Sequence, residues 1–307
     1  MAFKCTWGPF LLEEDMKNLF RLKDLTTKEI NDLLDLANEC KTGKYDNYLN
    51  NKIVANCFFE PSTRTQYSFN TAQLKLGMKV ISFNAENSSL KKGETFYDTI
   101  KTFESFGIDG IVIRSRENRY YEQLKNISIS IINAGDGSCD HPSQSLLDLL
   151  TIRNEFGHFE GLKIAIVGDI KYSRVAHTNI EVMERLGMDC YVSGPEEYRE
   201  ERYKFIDFDQ AVEQMDIIML LRVQHERHEQ SMQISVEDYH KYYGLNMERV
   251  NRMKEHAIIM HPAPFNRNVE IADDVVECEK SRIFEQITNG VYARMAILLK
   301  TIGGLDE

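Results

Sequence analysis

The stretch Asn56-Cys57-Phe58-Phe59-Glu60-Pro61-Ser62-Thr63-Arg64-Thr65 decides how this chain reads. It closes an apolar run that begins at Lys52 and opens a pattern with helical spacing over residues 63–76. A buried strand, a short polar turn and a helix make the first half of a β–α–β unit, which predicts parallel sheet. The turn also carries chemistry. The first N–H groups of a helix lack intrahelical partners, and hydroxyls with a guanidinium beside them make a seat for a phosphate. An ordinary Ser/Thr helix cap accounts for one such hydroxyl equally well. Arg64 between Ser62, Thr63 and Thr65 favours the anion.

The same alternation continues along the chain. Strands are expected at 52–59, 79–83, 110–114 and 128–132, with helices at 63–76 and 95–106. A second series follows, with strands at 162–167, 190–193, 216–221 and 256–260 and a helix at 173–186. Apolar strands between amphipathic helices imply parallel sheets covered on both faces. The fold class is therefore α/β, with two domains, each a parallel sheet flanked by helices, joined by bridging helices. The first domain is placed at residues 1–142 and the second at 143–287. Leu146, Leu147, Leu149 and Leu150 make the helix at 143–156 apolar on most sides, as a bridge between domains would be, and Ser143 can cap it. A further apolar helix at 288–301 ends at Gly303-Gly304, and the segment 288–307 is expected to pack back on the first domain.

The bulk properties narrow the classes. The chain has 307 residues, enough for two ordinary domains, with 42% hydrophobic and 28% charged residues. Its longest apolar runs, such as 216–221, are far too short to cross a bilayer, so no membrane partner is expected. Glu13, Glu14 and Asp15 stand where a signal peptide would continue its apolar core, which predicts a cytoplasmic protein. The six cysteines are scattered without a C-x-x-C pair, which fits a reducing compartment and neither disulfides nor a zinc site. A net charge of -11 argues against a nucleic-acid partner. It also means that a site for an anionic ligand must be a local positive focus on an acidic body.

Ligands of parallel α/β sheets bind at the carboxyl ends of strands. Residues 62–65, Arg114, His141, Arg174, Arg222 and the turn His261-Pro262-Ala263-Pro264 all fall at such ends, which predicts one rim in a cleft between the domains. The loop Ser88-Ser89-Leu90-Lys91-Lys92-Gly93-Glu94-Thr95 suits a mobile flap over an anion or, equally, a solvated loop. His141 precedes Pro142 and lies a turn from Gln144, so its imidazole, neutral or charged, could donate to a carbonyl oxygen. Cys139 raises a nucleophilic Cys/His pair as an alternative, without assurance of geometry. Gly168-Asp169-Ile170-Lys171-Tyr172-Ser173-Arg174 follows a clean strand but lacks the G-x-G-x-x-G glycines, so a dinucleotide cofactor is poorly supported. Arg174 and Arg222 could clamp a dicarboxylate, and Arg222 and Gln224 share a face if the chain stays extended. His225 and His228 do not match H-E-x-x-H, and no metal is expected.

Taken in order, F-F-E-P-S-T-R-T, S-S-L-K-K-G-E-T, I-V-I-R, N-A-G-D-G-S-C-D-H-P-S-Q-S-L-L-D-L, V-G-D-I-K-Y-S-R, L-R-V-Q-H-E-R, H-P-A-P-F-N-R and Q-I-T-N-G-V-Y-A-R resemble the aspartate/ornithine carbamoyltransferase family. They run in family order from about residue 56 to residue 294. The resemblance implies an enzyme that transfers the carbamoyl group of carbamoyl phosphate to the amine of an amino acid, without cofactor, metal or protein nucleophile. It implies that Ser62, Thr63, Arg64 and Thr65 hold the phosphate with Arg114. Thr65, Arg114 and His141 would polarise the carbonyl, and Gln144 would help hold the carbamoyl group. Ala263 and Pro264 would line the site through their backbone. Arg174, Arg222 and Gln224 would bind the carboxylates of L-aspartate, and Glu60 would tie the closed domains through Arg174 and Arg227. Ser88 and Lys92 would come from a neighbouring chain of a homotrimer, with regulatory chains or other pathway enzymes as further partners. Val175 stands where many members carry a small hydroxyl residue. The ornithine branch typically has H-C-L-P where this chain has His261-Pro262-Ala263-Pro264, and it lacks the K-K-G-E flap. A cationic amino acid would also be repelled by Arg174, Arg222 and Lys92.

Overall fold

The computed structural model describes residues 16–85, 88–223 and 235–304. Two four-stranded parallel sheets stand at its centre. The first contains β1 (Ile53–Phe58), β2 (Lys79–Asn84), β3 (Gly110–Ser115) and β4 (Ser130–Asp136), in the order β2-β1-β3-β4. The second contains β5 (Lys163–Val167), β6 (Asp189–Ser193), β7 (Ile217–Leu220) and β8 (Ile258–Met260), in the order β6-β5-β7-β8. Both orders reverse direction at the same place, between the first strand and the third. Loops leaving the carboxyl ends of strands diverge there and open a crevice. The crevice of the first sheet lies between β1 and β3, where Phe58 is in register with Arg114. That of the second lies between β5 and β7, where Val167 is in register with Leu220.

The helices are α1 (Thr27–Lys41), α2 (Thr63–Lys75), α3 (Phe96–Ser105), α4 (Pro142–Phe156), α5 (Arg174–Arg185), α6 (Phe208–Gln214), α7 (Val236–Tyr243), α8 (Met247–Val250) and α9 (Ile283–Ile302). No described helix is long and apolar enough to cross a membrane. Apolar packing falls into three large clusters. One covers the outer face of the first sheet with Ile100, Ile111 and Ile131, and another the outer face of the second with Val167, Ile218 and Ile259. The largest fills the centre of the molecule. It joins Val54 and Ile132 of the first sheet to Ile164 and Met219 of the second through Leu146, Leu149 and Leu150 of α4 and Ala293, Ile297 and Leu298 of α9. The first eleven residues of α4, Pro142 to Ile152, are all buried. α9 packs on α4, α1 and α2. A single core thus runs through both halves, and the two crevices are held face to face.

Several elements differ from the sequence reading. α4 starts at Pro142, with His141 rather than Ser143 at its N-cap, because proline needs no N–H partner in a helix's first turn. The Ser143 hydroxyl accepts from Arg294 Nη2 at 3.3 Å instead. α9 begins at Ile283 rather than 288, its first turn mixing exposed Phe284 with buried Gln286 in a pattern that hides the helical period. β4 extends to Asp136 through Asn133 and Asp136, polar residues buried because loop hydrogen bonds satisfy them. The reading did not identify α1, α6, α7 or α8.

Candidate active site

A cavity of about 1100 Å³ opens where the two crevices meet. Its lining includes Ser62, Thr63, Arg64 and Thr65 from the start of α2, Arg114 from the end of β3, and His141 and Gln144 from the start of α4. Arg174 comes from the start of α5, Arg222 from the segment after β7, and Pro262, Ala263 and Pro264 from the turn after β8. Val175 also faces this space. Every rim segment singled out from sequence therefore meets in one place. Ser88 and Lys92 do not. They lie at the turn between β2 and α3, outside the lining of their own chain, where Ser88 Oγ donates to Ala85 O at 2.8 Å and Lys92 is exposed. Gln224, His225, Arg227 and His228 lie outside the described residues.

The local backbone at the seat is informative. Ser62 occupies the N-cap of α2 in an extended conformation, yet its side chain makes no capping hydrogen bond. By contrast Thr26, Thr95, Ser173, Asp207, Ser235 and Asn246 each accept from a first-turn N–H of their helices. The N-terminus of α4 is likewise uncapped by a side chain, and neither α2 nor α4 has an acidic residue in its first turn. Two helix N-termini that enter the cleft thus have neither a side-chain cap nor a carboxylate in the first turn.

Charge is concentrated in the same space. Among the described residues six arginines line the cavity, namely 64, 114, 116, 174, 222 and 294, and Glu60 is the only described carboxylate in that lining. This is the positive focus that an acidic body needs in order to attract anions. Glu60 Oε1 accepts from Arg114 Nε at 2.6 Å and from Arg174 Nη2 at 2.9 Å. Burial works to raise the Glu60 carboxyl, but the charges of Arg114 and Arg174 outweigh it and hold it below the usual carboxylate range. The arginines feel one another as well as their burial. Desolvation and the charge of Arg174 bring Arg114 down to about 10 despite Glu60. Burial and Arg114 bring Arg294 down to about 9. Burial and Arg222 lower Arg64. Guanidiniums crowded in this way leave a standing positive potential that a dianion relieves.

His141 is buried and held well below its ordinary value by desolvation, then by Arg114, Arg174 and Arg294. The ring is therefore neutral, and of the two sequence-level options the imidazolium is set aside. Its Nε2 lies 3.3 Å from Arg114 Nη1 and 3.4 Å from Thr65 Oγ1. A guanidinium only donates, so Nε2 accepts and the ring proton sits on Nδ1, which has no partner among the described residues. A Cys139 thiolate beside this ring is not supported. Burial and Asp136 raise the thiol, and Cys139 lines a separate cavity with Asp140 and His177.

Glycines allow the close approach of these groups. Gly135 has φ +125°, and a Cβ there would stand 3.3 Å from Arg174 Cζ and 3.5 Å from Arg114 Nη1. Gly137 has φ +42°, and a Cβ there would fall on the Asn118 amide. The Gly137 carbonyl accepts from Arg174 Nη1 at 2.7 Å, which orients that guanidinium.

The sequence reading missed four parts of the site. Arg294 reaches the cavity from α9, with Nη1 on Ser68 Oγ at 3.0 Å and on Gly290 O at 2.9 Å. Arg116 also lines the cavity. Gln286 joins α9 to the backbone N–H of His261, which its Oε1 accepts at 2.9 Å. Asp148 lies beneath Gln144 and takes its Nε2 at 3.0 Å. Arg294, Gln286 and Asp148 stand in the quoted motifs, and a guanidinium on an apolar helix was the available signal for Arg294; Arg116 stands in none of them.

The described geometry agrees with comparison to known proteins. The family model described as aspartate/ornithine carbamoyltransferase, carbamoyl-P binding domain, matches residues 17–154. The model described as the Asp/Orn binding domain of the same family matches residues 160–301. The aspartate carbamoyltransferase catalytic subunit of Streptococcus gordonii is 51% identical over 299 residues, covering 95% of this chain and 98% of the relative. That of Listeria welshimeri is 52% identical over 287 residues, covering 92% and 95%. Among solved structures, the catalytic subunit of M. jannaschii aspartate transcarbamoylase superposes with TM-score 0.85 at 35% identity, covering 95% of this chain and 99% of that one. Aspartate transcarbamoylase from Trypanosoma cruzi in complex with N-(phosphonacetyl)-L-aspartic acid does so with TM-score 0.85 at 29% identity, covering 94% and 96%. The chain belongs to the aspartate/ornithine carbamoyltransferase family.

Proposed function

We propose that this protein transfers the carbamoyl group of carbamoyl phosphate to the amine of L-aspartate, giving N-carbamoyl-L-aspartate and phosphate, an early step of de novo pyrimidine biosynthesis. The observation that carries the reading is the convergence of six arginines and two uncapped helix N-termini on one cleft, in a chain about half identical to aspartate carbamoyltransferase catalytic subunits.

Residues 1–142 with the C-terminal segment 288–307 form the carbamoyl phosphate half, and residues 143–287 form the aspartate half. Ser62, Thr63, Arg64 and Thr65 hold the phosphate with Arg114, and Ser88 reaches the same anion from a neighbouring chain of a homotrimer, which also supplies Lys92. Thr65 and Arg114 donate to the carbamoyl oxygen. His141 joins them through Nε2 once its proton moves from Nδ1, a tautomer change open to a neutral ring. Gln144 and the backbone of Ala263 and Pro264 hold the carbamoyl NH2. Arg174 keeps one N–H on each Nη beyond its bonds to Glu60 and Gly137, and with Arg222, Gln224 and Lys92 it binds the aspartate carboxylates. Glu60 with Arg174 and Arg227 holds the two halves closed.

The neutral amine attacks the carbamoyl carbon and a tetrahedral oxyanion forms among donors already in place. Phosphate leaves as the C–O bond to it breaks and accepts the proton shed by the amine. The protein contributes positioning and fixed positive charge, and no bond to the enzyme forms. The protein acts in the cytoplasm, with regulatory chains or other pathway enzymes as partners.

The test is carbamoylation of L-aspartate beside L-ornithine, using the purified protein and carbamoyl phosphate. Product from aspartate alone is expected. Product from ornithine instead would retain the phosphate seat and overturn the assignment of Arg174 and Arg222. No product from either, in folded protein, would overturn the reaction.

A further inference from the structure

Asp148 lies one helical turn after Gln144 on α4 and is fully buried. No cation pairs with it among the described residues. Its carboxylate instead gathers one amide from each of three helices. Oδ1 accepts from Gln144 Nε2 at 3.0 Å and from Gln286 Nε2 of α9 at 2.8 Å. Oδ2 accepts from Asn179 Nδ2 of α5 at 2.8 Å. Two of these amides lead straight to the cleft. Gln144 lines it, and Gln286 lines it while accepting the His261 N–H that opens the 261–264 turn.

A carboxylate can accept hydrogen bonds and cannot donate them. It therefore dictates which end of each amide faces it. With its nitrogen held on Asp148, Gln144 has Oε1 as its one acceptor for the cavity, and no described residue donates to that oxygen. A neutral hydroxyl or amide at position 148 could both give and take, and would leave Gln144 free to turn over. Burial, with the three amides opposing it, brings the Asp148 carboxyl to about 6, so above that pH it is in its accept-only form. An apolar residue would fill the same volume without the desolvation that an unpaired buried carboxylate suffers.

A carbamoyl group differs from an acetyl group only in carrying NH2 in place of CH3. Only an acceptor fixed at that position distinguishes the two. We propose that Asp148 is the positioning residue that makes this acyl phosphate site selective for an amide. It holds the nitrogen of Gln144 so that Oε1 meets the ligand's NH2, and through Gln286 it fixes the 261–264 turn beside it. The proposal rests on the reading of the cleft as a carbamoyl phosphate seat.

The test uses two stable probes, phosphonoacetamide and phosphonoacetone, which share phosphonate and carbonyl and differ only in NH2 against CH3. Their affinities are measured by calorimetry on the unaltered protein and on Asp148→Ser, whose hydroxyl can donate or accept. The unaltered protein is expected to prefer the amide roughly tenfold. The variant should bring that ratio close to one, moving the ketone by less than about threefold. A structural role alone would weaken both probes equally, and that result, or an unchanged ratio, overturns the proposal. Equal binding of both probes by the unaltered protein overturns it while leaving the phosphate seat intact. Binding of neither overturns the seat and the proposal together. Should Asp148→Ser fail to fold, neutron diffraction of the unaltered protein with phosphonoacetamide decides. Gln144 Oε1 facing the ligand's ND2 with Nε2 on Asp148 supports the proposal, and a Gln144 deuteron directed at that ligand nitrogen refutes it.

Discussion

Glu60 and Arg174 meet across the cleft, with Glu60 Oε1 2.9 Å from Arg174 Nη2. One residue belongs to the turn after β1 in the first sheet, the other to the start of α5 in the second. The same oxygen lies 2.6 Å from Arg114 Nε, so one carboxylate orders two guanidiniums that would otherwise repel.

Replacing Glu60 with Gln keeps the shape and removes the charge. The charge-assisted bonds to Arg114 and Arg174 are lost, each worth about 1.5–3 kcal/mol. The value of kcat/KM for aspartate should fall roughly ten- to a hundredfold, with circular dichroism unchanged. Steady-state kinetics check this, and a rate within about twofold of the unaltered protein would rule out the pair as a closing contact.

Arg64→Ala and His141→Ala should each lower kcat by roughly two to three orders of magnitude while leaving folding largely intact. His141 also gives a pH signature. Its folded-state value lies below its unfolded value, so below about pH 6.5 the unfolded chain takes up a proton that the folded ring refuses. The stability that His141 contributes is therefore complete above that pH and declines as pH falls through it. In denaturant titrations the stability of the unaltered protein relative to His141→Gln should decrease from pH 7.5 to 5.5. An increase over that interval would contradict a buried neutral ring.

Gly137→Ala places a Cβ 1.8 Å from Asn118 Oδ1, at φ +42°. The strain should cost about 1–3 kcal/mol and shift the carbonyl that orients Arg174. Stability by urea titration and KM for aspartate should both worsen. A raised KM with unchanged stability would mean that the loop accommodates the methyl and that only the guanidinium moves.

The shared-site reading of Ser88 and Lys92 is tested by mixing. Lys92→Ala chains and Arg64→Ala chains, each nearly inactive alone, should regain part of the activity when verified mixed trimers form. Mixed trimers without recovery would place Lys92 outside a neighbour's site.

Some of this protein is legible in its sequence. The apolar runs at β1, β3, β5 and β7 carry their own signal, because strands covered on both faces must be apolar throughout. Arg114, Arg174 and Arg222 could be placed on one rim because the carboxyl end of a parallel strand is a topological location. α1 and α6 escaped because their helical period is diluted by charged residues such as Glu29, Asp32 and Glu213, and buried only by what packs on them. The capping question at Ser62 was also undecidable locally, since a serine that caps and one that does not have the same sequence.

The chain by itself determined the alternation of strand and helix, the two-sheet architecture and the residue types at the strand ends. Those follow from short-range periodicity and from the conformations that glycine allows and proline forbids. Only the tertiary structure decided that Asp148 lies beneath Gln144 with Gln286 and Asn179 around it, that Arg294 reaches the cleft from α9, and that Glu60 serves two arginines. These pairings join residues as many as 226 positions apart. Their energies depend on burial and on neighbouring charge, which exist only once the core shared by α4 and α9 has brought the two sheets together.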